Sequence, residues 1–160
     1  MRKLTEKGLR PCLKWTTRPI RKFEHQGITY NFVKDEEFKE LITSNKFLSY
    51  QEFEVTPENS EKLIWYYGIP LDEFNSSQVS IMTPIKLGYI EPSTRKDCFV
   101  VFLDIERSVR ENRLLRREDK NDSVTRRLDA DDLDFGNIFD YDLRVSDPEF
   151  SVDDIFDLMN

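Results

Sequence analysis

Apolar residues fall at helical spacing between Asp35 and Thr43, where Phe38, Leu41 and Ile42 share one face, and this predicts a short amphipathic helix. Ahead of it, Leu9 to Thr17 and Ile28 to Val33 read as two strands separated by a polar loop. Beyond it, Phe47 to Val55 and Leu63 to Tyr67 are aromatic-rich strand candidates, joined into a hairpin by TPENSEK with Pro57 and Asn59 as turn formers. Met1 to Lys7 reads as the end of a helix, with Gly8 placed to close it in a left-handed cap. Gln78 to Thr83 and Cys98 to Leu103 are apolar runs suited to buried parallel strands. The second leads into a charged helix, Asp104 to Arg117; Asp119 to Asp122 breaks that pattern, and Ser123 is placed to N-cap the next helix. A strand over Tyr141 to Val145 and a short helix begun by Ser151 complete an α/β order.

At 160 residues the chain suits one domain spanning 1–160, long enough to bury a core. A net charge of -7 argues against a nucleic-acid partner, because phosphate neutralisation needs a basic face. The charge is uneven: Lys and Arg dominate from Arg2 to Lys22 and from Arg107 to Arg127, and Asp and Glu dominate from Asp129 onward. Two cationic stretches in an acidic chain suggest a local anion pocket, although solvated basic faces have the same composition. Two cysteines, Cys12 and Cys98, and a single histidine, His25, do not make a zinc site or a disulfide framework, and predict reduced thiols in a cytoplasmic protein. No apolar run approaches a membrane span, and the N-terminus carries no signal-peptide pattern.

The stretch with candidate chemistry is TTRPIRKFEHQGITYNFV, Thr16 to Val33. Arg18 and Arg21 stand three residues apart in a Thr/Pro-rich, non-helical run, and Tyr30 follows a turn at Gln26-Gly27. Pro19 confines Arg18 to extended backbone, and a guanidinium is a planar fork of donors that matches two oxygens of a phosphate. Two forks and a phenol can therefore meet one anion. Spacing alone favours the plainer reading, a strand that ends in a solvated polar loop.

This run resembles the monophosphate-binding segment of the guanylate kinase family, T-T-R-x-P-R followed by a Gly turn and a Tyr-containing strand ending F-V. The family's proline before the second Arg is Ile20 here, with Pro19 one place earlier. The resemblance implies that Arg18, Arg21 and Tyr30 bind a substrate phosphate. WYYGIP resembles the family's Y-Y-G-[ST], which adds Tyr67 to that set, with Ile69 in place of the hydroxyl residue. RLLRRE and SVTRRL resemble the family's lid, implying that Arg113, Arg116 and Arg127 close over the nucleotides and stabilise the transferring phosphoryl group, with Arg117 as a substitute. The implied fold is a three-layer P-loop-kinase-like parallel sheet, with a small β-rich monophosphate-binding region at about 18–82 and a helical lid at 113–127. FDYDLRVS resembles the family's closing D-Y-x-x-x-N, with Ser146 at the Asn position.

The family also uses ATP and Mg2+, held by a G-x-x-x-x-G-K-[ST] loop, yet none of the five glycines here is followed by Lys. The sequence reads as beginning near the end of the helix after that loop, so the first strand and the P-loop are expected to be absent. Base recognition departs as well: Ser49 and Thr83 stand where the family's guanine-reading carboxylates stand, and a hydroxyl gives one ambiguous bond where a carboxylate accepts two. The expectation is a chain that binds a (deoxy)nucleoside monophosphate without transferring phosphate from ATP. The alternative is a non-catalytic module that binds a phosphorylated or acidic protein segment. A central strand supplied from elsewhere, by a missing N-terminal segment or a partner protein, is the further expectation.

Overall fold

The computed structural model describes residues 2–55, 62–116, 123–136, 138 and 140–159. They form a mixed α/β fold whose residues fall into two compact units, Met1–Met82 and Thr83–Asn160.

The first unit opens with α1 (Arg2–Glu6), which ends at Gly8 with φ +90, the left-handed closure that Gly adopts without strain. Strand β1 (Trp15–Thr16) pairs parallel with β2 (Asn31–Phe32) and antiparallel with β4 (Leu63–Pro70), which in turn pairs with β3 (Phe47–Val55). The sheet order is β2-β1-β4-β3. Helix α2 (Asp35–Thr43) buries Phe38 completely, stacked on Phe47 at 4.4 Å and tilted against Tyr66 at 5.3 Å. Gly68 leaves the space those rings need: a Cβ there would meet Phe47 Cε1 at 2.5 Å and Phe38 Cζ at 2.9 Å. A short α3 (Leu71–Ser76) follows β4 directly.

The second unit begins with two single-turn helices, α4 (Pro84–Leu87) and α5 (Pro92–Arg95). Strand β5 (Val101–Leu103) pairs parallel with β6 (Leu143–Val145), and α6 (Arg107–Leu115) and α7 (Val124–Phe135) lie between them in sequence. Leu128 of α7 is the buried centre, joined by Ile90 and Ile105. Ser123 caps α7 by accepting from the Arg126 N–H, and Ser151 caps α8 (Val152–Leu158) by accepting from the Asp153 N–H.

Helix α2, the β3–β4 hairpin and both serine caps lie where the apolar spacing and cap chemistry predict them. The strand expected over Leu9–Thr17 narrows to Trp15–Thr16, because Pro11 has no N–H to offer a ladder and makes only an isolated bridge to Val79. Gln78–Thr83 is likewise no strand: Val79 O accepts from Cys12 N–H at 2.8 Å, and the segment turns into α4 at Pro84. The charged helix starts at Arg107, three residues later than expected, because Asp104 N–H is engaged by Val145 O at 2.8 Å. The last strand shortens to Leu143–Val145, since Asp142 spends a carboxylate oxygen on Val100 N–H. The hairpin turn with Pro57 and Asn59, and Arg117, lie outside the described residues.

Candidate functional site

The end of β1 is tied down by two threonine hydroxyls. Thr16 Oγ1, wholly buried, accepts the Arg18 N–H at 3.2 Å, and Thr17 Oγ1 accepts the Tyr66 N–H at 3.1 Å. The loop after β1 is thereby fixed to β4 before it turns away. Alternation along β4 then sorts its two tyrosines: Tyr66 faces Phe38 and α2, and Tyr67 faces the other side, 6.1 Å from the Tyr30 ring and 5.3 Å from Phe53.

Arg18 emerges on the Tyr67 side and is only 4% exposed. Its guanidinium lies 5.6 Å from the Tyr30 ring centre and 5.5 Å from that of Phe32, within cation–π range. The fork is engaged by a carboxylate. Arg18 Nη1 donates to Glu24 Oε2 at 2.8 Å and Nη2 donates to Glu24 Oε1 at 2.7 Å. The Arg21 backbone N–H donates to the same Glu24 Oε2 at 2.9 Å, and Arg18 Nη1 also donates to Pro19 O at 2.8 Å. Glu24 is thus held by three donors from the two-arginine loop.

The electrostatics follow. The Arg18 hydrogen bonds, working against burial, hold the Glu24 carboxyl below the usual carboxylate range, with help from the Arg21 N–H. Burial tends to lower the Arg18 pKa, but the Glu24 bonds and the adjoining Tyr67 raise it above its ordinary value. Burial pushes the Tyr30 hydroxyl up, the Tyr67 hydroxyl adds to this, and Arg18 and Arg21 pull it down. The charge of Arg21, whose side chain is exposed, therefore reaches both Glu24 and Tyr30.

Of the residues singled out by sequence, Arg18, Arg21, Tyr30 and Tyr67 come together in this one place. Ser49 of β3 is buried and its register partner is Ile69, two residues along β4 from Tyr67, so Ser49 and Tyr67 share a sheet face. Its Oγ is enclosed and has no hydrogen-bond partner. Thr83, Arg113, Arg116 and Arg127 belong to the second unit. Thr83 Oγ1 is also enclosed without a partner. Arg113 is exposed on α6 and donates to Pro148 O at 2.8 Å, Arg116 is the exposed C-cap of α6, and Arg127 is half-buried on α7. Helices α6 and α7 are clasped by ion pairs: Arg107 holds Asp129 at 2.6 Å and Asp132, and Arg110 also holds Asp132, at 2.6 Å.

An open cleft of about 730 Å3 borders Arg18 on the side of Pro19, Phe32 and Glu37. Arg18 is common to this cleft and to the cluster of anion donors, whereas Tyr30 and Tyr67 do not line the cleft. Sequence reasoning missed Glu24. The signal was present: it is the one acidic residue between Glu6 and Asp35, two residues beyond the basic stretch that ends at Lys22.

The family model described as guanylate kinase matches residues 2–58, which span this entire loop. A guanylate kinase of Prochlorococcus marinus is 29% identical over 137 residues, covering 80% of this chain and 70% of that protein. A guanylate kinase of Neisseria gonorrhoeae is 49% identical over a stretch of 43 residues, covering 27% of this chain and 21% of that protein. The crystal structure of guanylate kinase from Anaplasma phagocytophilum superposes with a TM-score of 0.64 at 21% identity, covering 99% of this chain and 75% of that one. The chain belongs to the guanylate kinase family.

Guanylate kinases use a magnesium-bound nucleoside triphosphate, and the fit of such a group can be tested on the residues present. Among the described residues no group of three or more His, Cys, Asp and Glu side chains could hold a metal ion. Gly8 and Gly27 have the positive φ of a tight loop, but neither is followed by Lys, and the room left by Gly68 is taken by Phe47 and Phe38. No helix among the described residues is long and apolar enough to cross a membrane.

Proposed function

We propose that this chain holds the phosphate of a nucleoside monophosphate at Arg18, Arg21, Tyr30 and Tyr67, as the acceptor side of a guanylate-kinase-type site. The observation that carries this reading is the bidentate pair at 2.7 and 2.8 Å, in which the buried Arg18 fork already grips two oxygens of one anion. A phosphate presents the same pair of oxygens with more charge, so it can replace the Glu24 carboxylate on the fork. Arg21 then neutralises the second charge, and the tyrosine hydroxyls donate to the outer oxygens. Ser49, on the sheet face of Tyr67, offers a base no carboxylate, so the paired acceptors that single out guanine are missing at that position.

In this reading the chain binds the acceptor and does not itself transfer phosphate to it, which the want of any glycine followed by the Lys of a triphosphate loop supports. A second reading, a module for a phosphorylated or acidic protein segment, is favoured by one specific feature. The same loop carries Phe23 at 84% and Ile28 at 75% exposure beside a fork already holding a carboxylate.

Calorimetric titration with GMP, dGMP, dTMP, dUMP and a phosphotyrosine peptide tests both, with Arg21→Ala as the control. Binding of one nucleotide that the control loses is the expected result. Binding of the peptide alone replaces the first reading by the second. ADP release from MgATP that depends on added monophosphate would overturn the claim that the chain does not transfer phosphate.

A further inference from the structure

The register of the first unit sets Phe32, Thr16 and Tyr67 in one row, because Thr16 pairs with Phe32 on β2 and with Tyr67 on β4. Directly paired residues point to the same face of a sheet, so a small, wholly buried threonine stands between two aromatic side chains. Thr16 Oγ1 also accepts the Arg18 N–H at 3.2 Å, which anchors Arg18 at that row. The Arg18 guanidinium lies 5.5 Å from the Phe32 ring centre and 5.6 Å from that of Tyr30. Tyr30 in turn meets both aromatic walls edge-on, Phe32 at 5.8 Å and Tyr67 at 6.1 Å. Phe32 is itself half-buried and lines the open cleft, so filling a core does not account for its ring. Glu24 grips the fork but lies on the same loop, six residues further on. An arginine has many rotamers, and the Arg18–Glu24 pair can leave the row together and stay paired in water. The carboxylate therefore neutralises the guanidinium without fixing where it stands.

We propose that Phe32 is a positioning residue of the acceptor site, whose ring keeps the Arg18 guanidinium at the Thr16 row while an anion exchanges with Glu24. The inference rests on the acceptor-site reading above. Phe32 need not touch the anion; it acts through Arg18. An aromatic ring attracts a guanidinium through its quadrupole, and the attraction is strongest where water is excluded, as it is from the buried Arg18. Loss of the ring lowers the fraction of free chains whose fork is in place, and the apparent affinity for an anion falls by that fraction. A leucine or methionine fills much of the same space without a quadrupole, whereas a tyrosine keeps it.

The test measures calorimetric affinity of the full chain for inorganic phosphate and for GMP. Wild type is compared with Phe32→Leu, Phe32→Met, Phe32→Tyr, Glu24→Ala and the double variant Glu24→Ala/Phe32→Leu, each checked by its melting curve to be folded at the assay temperature. Phe32→Leu and Phe32→Met should weaken binding by roughly five- to thirtyfold, the worth of one ring to a desolvated guanidinium, and Phe32→Tyr should restore affinity to within about twofold of wild type. The loss caused by Phe32→Leu should be larger in the Glu24→Ala background, where the rings alone hold the fork. A ring that merely supports the fold gives the same loss in both backgrounds. Equal weakening by Leu, Met and Tyr, no weakening by Leu and Met, or the same loss with and without Glu24 overturns the proposal and leaves the acceptor-site reading standing. A wild type that binds neither phosphate nor GMP overturns both.

Discussion

Replacing Glu24 by Ala separates the two roles of the anion on Arg18. In the free chain the carboxylate compensates a guanidinium that is 4% exposed, while Glu24 is itself 16% exposed. Removing one partner of a pair this covered leaves the other charge uncompensated, which costs about 3–5 kcal/mol; the remaining exposure of Glu24 puts the expected loss near the lower end, about 3 kcal/mol. For a chain of this length that is a fall in melting temperature on the order of 10 °C. The same change empties the fork for a ligand, so Glu24→Ala should bind phosphate or GMP more tightly than wild type. A ligand at a hundred times its dissociation constant returns about 2.7 kcal/mol, nearly closing the gap between the two proteins. Melting curves with and without ligand, with calorimetric affinities, measure both sides of this exchange. Equal melting temperatures in buffer, or weaker anion binding by the variant, would refute the idea that Glu24 occupies the phosphate's place. The pH dependence has a definite sign. The folded-state pKa of Glu24 is depressed, so its stabilisation is present in full above the unfolded carboxylate value of about 4.3 and is lost as pH falls through the lower folded value. Glu24→Gln should lack that portion of the acid limb of the stability curve.

Two further outcomes follow from the packing. Gly68→Ala places a Cβ within 2.5 Å of Phe47 and 2.9 Å of Phe38, and the expected overpacking cost of about 1–3 kcal/mol should appear as a lower urea midpoint at unchanged slope. Asp132→Asn removes the carboxylate that both Arg107 and Arg110 hold, so amide exchange in α7 should quicken, and the difference from wild type should shrink at high salt; salt-independent exchange would count against an ionic clasp.

Local rules made much of this protein legible in its residues. The Phe38, Leu41 and Ile42 face, the aromatic strands of the hairpin, the glycine closing α1 and the serines capping α7 and α8 each depend on neighbours within a few positions, so spacing and residue type suffice to place them. The two-arginine loop stood out for the same reason: its arginines, its turn and its tyrosine lie within one short stretch, and the link to Tyr67 came through a family resemblance. Tertiary structure alone decided what these groups do to one another. The shortening of β1 rests on a bridge from Pro11 to Val79, and the facing of Tyr67 toward Tyr30 rests on pairing of Thr16 with Tyr67 across β1 and β4. The seating of Glu24 on the Arg18 fork is likewise an outcome of folding, because burial and pairing are properties of the surroundings. A sequence names the charges; only the packed chain determines which of them meet an opposite charge and which stay in water.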